Sequence, residues 1–187
     1  MMNPEGGVVM TGHNHGGGNT PQNTDHSVHS KSITISSKAK EELNPLFNSY
    51  FKLKDALVND NLDNAVSASK DMSTVLRKVN MGVFTGEAHN VWMKHSSVLE
   101  KELRKAGSTD EIGKMRVLFK NISDQMVMLI KTFGAIDKRV YVDYCPMANN
   151  DKGAEWLSTE KEINNPYFGT SMIKCGEVKQ EINNVQK

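Results

Sequence analysis

The sequence predicts an all-α protein: an up-and-down four-helix bundle with an irregular C-terminal cap. Three observations predict it. Between residues 44 and 134, apolar side chains recur every three or four positions in successive runs. Short breaks bearing Asn, Asp and Gly separate those runs. After Asp137 the helical period fades into a stretch rich in Cys, Pro, Gly and aromatic residues.

The first helix is expected to start at Asn44-Pro45, since Asn caps well and Pro suits the first helical position. Leu46, Tyr50, Leu53 and Leu57 then follow at helical spacing. Asn59-Asp60-Asn61 reads as a turn. The second helix carries Ala65, Met72, Val75, Leu76 and Val79 on one face and breaks between Gly82 and Gly86. The third runs from about Glu87 to Ala106, with His89, Trp92, Ser96, Leu99 and Leu103 as its inward stripe and Gly107 at its C-cap. Ser108 and Glu111 have the spacing of a capping box for the fourth helix. That helix presents Ile112, Met115, Phe119, Ile122, Met126, Leu129 and Phe133 and stops at Gly134. Short connections make neighbouring helices antiparallel. This puts His89 at the end of the bundle where the chain leaves the fourth helix.

Residues 1–37 read as a disordered tail rich in His and Gly, and residues 38–187 as the helical domain with its cap. Four of the six histidines, His13, His15, His26 and His29, fall in the tail. Imidazoles in such tracts collect Cu, Zn or Ni, or are incidental to a solvated linker. In the cap, Val140, Val142 and Tyr144 read as a short extended stretch. Ser158 is placed to cap a short helical turn, and Asn165-Pro166-Tyr167-Phe168-Gly169 is a turn by composition.

Lys plus Arg number 23 and Asp plus Glu 22, so the near-neutral chain offers no basic face for nucleic acid. Aromatics are 6% of residues, too few for a base-stacking platform. No run reaches the ~18 apolar residues of a transmembrane helix. Met1 to Met10 lacks a signal peptide, which fits either a cytosolic protein or the mature part of an exported one. No phosphate loop, nucleophile elbow or H-E-x-x-H helix is present, and no enzyme is expected.

Methionine is abundant, at 11 residues, and cysteine scarce, at 2. Both cysteines have a methionine close by: Cys145-x-Met147 and Met172-x-x-Cys175. Thiolate and thioether are soft donors, and the ion that takes both is Cu(I). Zinc also accepts thiolate but prefers a closed set of Cys and His. Pro146 stiffens the backbone between Cys145 and Met147. His89 is a further ligand candidate, with Met93 one turn on and Trp92 able to shield an ion. The alternative is a Cys145–Cys175 disulfide pinning the cap, worth roughly 3 kcal/mol by chain entropy. In that case the methionines are packing.

Several segments carry a family resemblance: Tyr144-Cys145-Pro146-Met147-Ala148, Gly153-Ala154-Glu155-Trp156-Leu157-Ser158, Asn165-Pro166-Tyr167-Phe168-Gly169 and Met172-Ile173-Lys174-Cys175-Gly176, with the early helix from Tyr50 to Leu57. From about residue 40 onward the chain resembles an uncharacterised bacterial family of periplasmic or lipoprotein domains associated with the adaptor subunits of heavy-metal efflux pumps. The resemblance implies a periplasmic location, a lipid anchor in some precursors, an efflux adaptor as partner, and copper or related metal handling. A weaker likeness is to the Tyr-x-Cys-Pro-Met-His segments of heavy-metal transport proteins. Here Ala148 stands where those carry His.

The sequence reading is therefore a periplasmic Cu(I)-binding protein with ligands from Cys145, Met147, Met172, Cys175 and His89, fed by the tail histidines. The other reading is a disulfide-pinned helical module that docks on an efflux adaptor or envelope partner without metal.

Overall fold

The computed structural model describes residues 32–134, 136 and 138–183. Four long helices form the core: α1 (Ser37–Val58), α2 (Leu62–Lys78), α3 (Gly86–Ala106) and α4 (Ile112–Phe133). Their directions follow from cross-helix contacts. His95 and Glu102 of α3 meet Gln125 and Asn121 of α4, so these helices are antiparallel. Tyr50 meets Ser123 while Leu57 accepts from Arg116, so α1 and α4 are antiparallel as well. The up-and-down arrangement is the one that the short connections predict.

Helix boundaries follow local chemistry, with two departures from expectation. α1 begins a full two turns before Asn44, with Ser36 as its N-cap accepting from the Ala39 N–H. Pro45 lies inside the helix. Its ring removes one helical hydrogen bond, but the preceding turns bury Ala39 and Leu43 completely, and that burial outweighs the loss. The capping box before α4 does not form. Ser108 Oγ turns back to the carbonyls of Arg104 and Lys105, and Glu111 caps without a side-chain bond. Gly134 ends α4 as expected, at φ 56°. On α3 the inward residue is His95, bonded to Gln125, while Ser96 and His89 are half-buried.

The expectation of an all-α fold with an irregular cap is wrong. The cap is a three-stranded antiparallel sheet in the order β2-β1-β3, with β1 Val140–Cys145, β2 Ala154–Ser158 and β3 Glu177–Ile182. β1 was legible as an extended stretch. β2 ends at Ser158, and the helical turn expected to follow it does not form; Ser158 Oγ instead donates to the Glu160 carbonyl and accepts from the Glu160 N–H. β3 is exposed along almost its whole length. An edge strand with no buried face shows no apolar alternation, so periodicity could not reveal it.

A chain of rings joins bundle to sheet. Tyr50 stacks on Phe119 at 5.5 Å, Phe119 meets Tyr167 at 5.6 Å, and Tyr167 meets Trp156 edge-on at 5.8 Å. The buried Tyr50 hydroxyl sits 2.6 Å from Ser123 Oγ and accepts from the Leu157 N–H of β2. Burial pushes its pKa well above the ordinary tyrosine value.

Candidate metal centre

Apart from Asp143, β1 consists of β-branched and aromatic residues up to Cys145, and Pro146, which has no N–H to give a ladder, ends it. The chain then reverses through Asn149, Asn150 and Asp151, three consecutive residues at φ between 55° and 60°. Asn and Asp tolerate this left-handed conformation better than other side chains, but each such residue still costs of order 1 kcal/mol. Gly153 completes the reversal because a Cβ there would fall 2.1 Å from the Tyr144 hydroxyl. Met147 therefore sits on a sharply turned corner beside the end of β1.

Cys175 arrives from the other direction. Its N–H bonds to the Met172 carbonyl at 3.0 Å, so Met172 opens the turn that carries it. Gly176 follows at φ 141°, where a Cβ would press on the Tyr144 carbonyl at 2.8 Å and on the Trp156 ring at 2.9 Å. The buried Asn165 holds this turn from beneath. Its amide donates to the Cys175 carbonyl at 2.6 Å, its own N–H bonds to the Ile173 carbonyl, and its side-chain oxygen accepts from Tyr167 N–H. The same loop is clamped to the α1–α2 turn. Arg116 donates to the Pro166 carbonyl and pairs with Asp60, which also accepts from the Thr170 backbone and hydroxyl. Those bonds, Thr170 first and Arg116 after, hold the Asp60 carboxyl down at about 2.

Three sulfur atoms meet as a result. Cys145 Sγ lies 3.2 Å from Cys175 Sγ, and Cys175 Sγ lies 3.9 Å from Met147 Sδ. Both cysteines are free thiols. Cys145 is fully buried, Cys175 half-buried and Met147 exposed. The shared hydrogen bond with Cys145, then burial and the Cys145 charge, raise the Cys175 thiol above its ordinary value. A soft cation bound at Cys175 would have to displace that proton.

The donor set suits such an ion. Bonds of ~2.3 Å at tetrahedral angles place two metal-bound sulfurs roughly 3.8 Å apart. The thiols would open by about half an ångström, a change that a half-buried turn residue can absorb. Among the described residues, no three His, Cys, Asp or Glu side chains gather into a group that could hold a metal.

Of the other expected ligands, Met172 reaches the site through its backbone. His89 lies elsewhere. Phe84, just before α3, stacks on Trp92 at 5.1 Å and on Phe133 at 5.9 Å, which places the start of α3 beside the end of α4. Met147 and Ala148 instead line a cleft with Arg116, Val117 and Lys120. Lys120 and Phe133 are about 20 Å apart along a helix axis. β1 has carried the chain back along the bundle, away from His89. His13, His15, His26 and His29 lie outside the described residues.

Sequence reasoning missed two groups. Asn165 was legible as a turn residue, but nothing in the sequence signals that its amide reaches ten residues ahead. Asp143, two residues before Cys145, is fully buried with no hydrogen-bond partner for either oxygen, as is the indole N–H of Trp156, its cross-strand neighbour. Burial pushes the Asp143 carboxyl up to about 7, against the opposing pull of Lys54.

With this geometry in view, one comparison bears on the chain. Residues 46–138 match the family described as Protein of unknown function (DUF3347). The match covers most of α1 and continues through α4, and it stops before β1. The bundle is thus what the chain shares with that family, and the three sulfurs lie beyond the matched stretch. Nothing among curated proteins or solved structures matches the chain.

Proposed function

We propose that this protein binds one Cu(I) ion through Cys145, Cys175 and Met147 and serves in metal handling rather than catalysis. The observation that carries the reading is that Cys175 Sγ lies within 4 Å of both Cys145 Sγ and Met147 Sδ, which come from a segment nearly thirty residues away. Soft donors of both kinds in one place favour Cu(I) over harder or borderline ions. Zinc is the lesser candidate because it would need further nitrogen or thiolate ligands. The resemblance to domains that accompany efflux adaptors supports a periplasmic setting, with the adaptor as recipient or donor of the ion. The tail histidines are suited to gather metal for the site.

The test is anaerobic competition for Cu(I) between the reduced full chain and a coloured chelator. One-to-one binding is expected, weakened by about a hundredfold or more in Cys145→Ser, which removes a thiolate ligand. A fully reduced chain that leaves all copper on the chelator overturns the reading. The 3.2 Å separation of the thiols favours one other reading, a disulfide-pinned docking module. That reading requires protein purified without reductant to show no free thiols and no copper uptake after mild reduction.

A further inference from the structure

The two thiols are close but unequal. Cys175 sits on the Met172–Cys175 turn, half-buried, followed by a residue without a side chain. Cys145 ends the central strand, has no exposed surface and lies opposite Ala154. A molecule in solution can reach Cys175 and cannot reach Cys145. Once anything is attached to Cys175 sulfur, Cys145 sulfur is its nearest nucleophile, at 3.2 Å.

We infer that Cys175 is the attacking thiol and Cys145 the resolving thiol of an exchange reaction with small-molecule disulfides, and that the resulting Cys145–Cys175 bond switches the metal site off. The first step forms a bond from Cys175 sulfur to one sulfur of the disulfide RS–SR and breaks the S–S bond. One RS⁻ leaves and takes up the proton that Cys175 gives up. In the second step Cys145 sulfur, losing its proton, attacks Cys175 sulfur and expels the other RS⁻, which takes that proton. In sum, two cysteine thiols are oxidised to one disulfide while RS–SR is reduced to two RSH. Closing the gap to the ~2.05 Å of a disulfide moves the sulfurs by little more than 1 Å. The switching role rests on the Cu(I) reading, because closure leaves Met147 as the lone sulfur ligand. The exchange itself does not rest on it.

The experiment uses the reduced, metal-free full chain, oxidised glutathione and intact-protein mass spectrometry. The parent protein is expected to lose the mass of two hydrogens and retain no glutathione. Cys145→Ala is expected to hold one stable glutathione at Cys175, and Cys175→Ala to react at least about tenfold more slowly than Cys145→Ala. A glutathione adduct that persists on the parent, or comparable rates in the two variants, overturns the assignment. Brief alkylation of the unmutated protein with iodoacetamide guards against misfolded variants. Labelling of Cys175 ahead of Cys145 by a similar factor is expected, and equal labelling contradicts the proposal. Copper competition on the oxidised parent then reads the switch, with uptake lost relative to the reduced chain. Undiminished uptake overturns the switch. If the reduced chain also takes no copper, the metal reading fails while the exchange chemistry stands on its own result.

Discussion

In the bundle, several buried polar side chains are paired across or along the helices. Tyr50 meets Ser123, His95 meets Gln125, and Glu102 is held by Lys105 and Asn121. In the sheet cap, by contrast, the Asp143 carboxyl and the Trp156 N–H are buried without hydrogen-bond partners, three successive residues take left-handed backbone, and two thiols stand close together without a disulfide between them. Satisfied polar groups and regular helices cost little to maintain. Unsatisfied groups and strained corners persist only where the surroundings impose them, and such places tend to be functional. The contrast separates a scaffold from the part it holds in position. It agrees with the extent of the family match, which covers the scaffold and stops short of the sulfurs.

The largest effect should come from breaking the scaffold where it supports the cap. Phe119 is fully buried and touches both Tyr50 and Tyr167. Phe119→Ala should cost about 3–5 kcal/mol in denaturant unfolding, with bundle and cap lost together. Separate transitions for the far-UV helix signal and for Trp156 fluorescence, read with Trp92 replaced by Phe, would show that the cap does not depend on this contact.

A smaller and more local loss should follow from Asn165→Ala. It leaves the Cys175 carbonyl and Tyr167 N–H without their partner, at ~1–3 kcal/mol. Hydrogen exchange should quicken in residues 165–176 and stay unchanged in α2 and α3. Uniform quickening would mean that the two regions are not separable.

Asp60→Asn should cost on the order of 1 kcal/mol near neutral pH, since this pair is partly exposed and screened. The pH dependence has a defined sign. The folded carboxyl sits at about 2 against an ordinary 3.8, so its contribution is complete above about pH 4 and disappears as pH falls through about 2. Unfolding curves of parent and variant should therefore converge in acid. A difference that is constant down to pH 2 would remove Asp60 ionisation from the explanation.

Met147→Ala should change stability least, within about 0.5 kcal/mol, because the side chain is 46% exposed. Its effect should appear in Cu(I) affinity, lowered roughly tenfold for a lost thioether ligand. His89→Ala should alter neither quantity measurably. A copper defect in His89→Ala with none in Met147→Ala would reverse the assignment of ligands.

Much of the scaffold was legible because helix periodicity survives in any sequence that buries one face. The α4 stripe from Met115 to Phe133 is buried as read. The start of α1 was misplaced because Pro45 carries the signal of a helix start, and only tertiary burial of Ala39 and Leu43 overrides it. The sheet was hidden because β2 is five residues long and β3 exposes its polar side chains. At the site, Cys145, Met147 and Cys175 were marked by the chemistry of sulfur, which needs no fold to recognise. The separation of His89 depends on the direction in which β1 leaves α4, and no local pattern encodes that.

Copper K-edge X-ray absorption on the reduced full chain loaded with one equivalent of Cu(I) tests the central claim most directly. The account predicts a first shell of three sulfurs and no imidazole scattering. A shell containing histidine nitrogen, or one unchanged when Cys145 and Cys175 are both replaced by Ser, would contradict it.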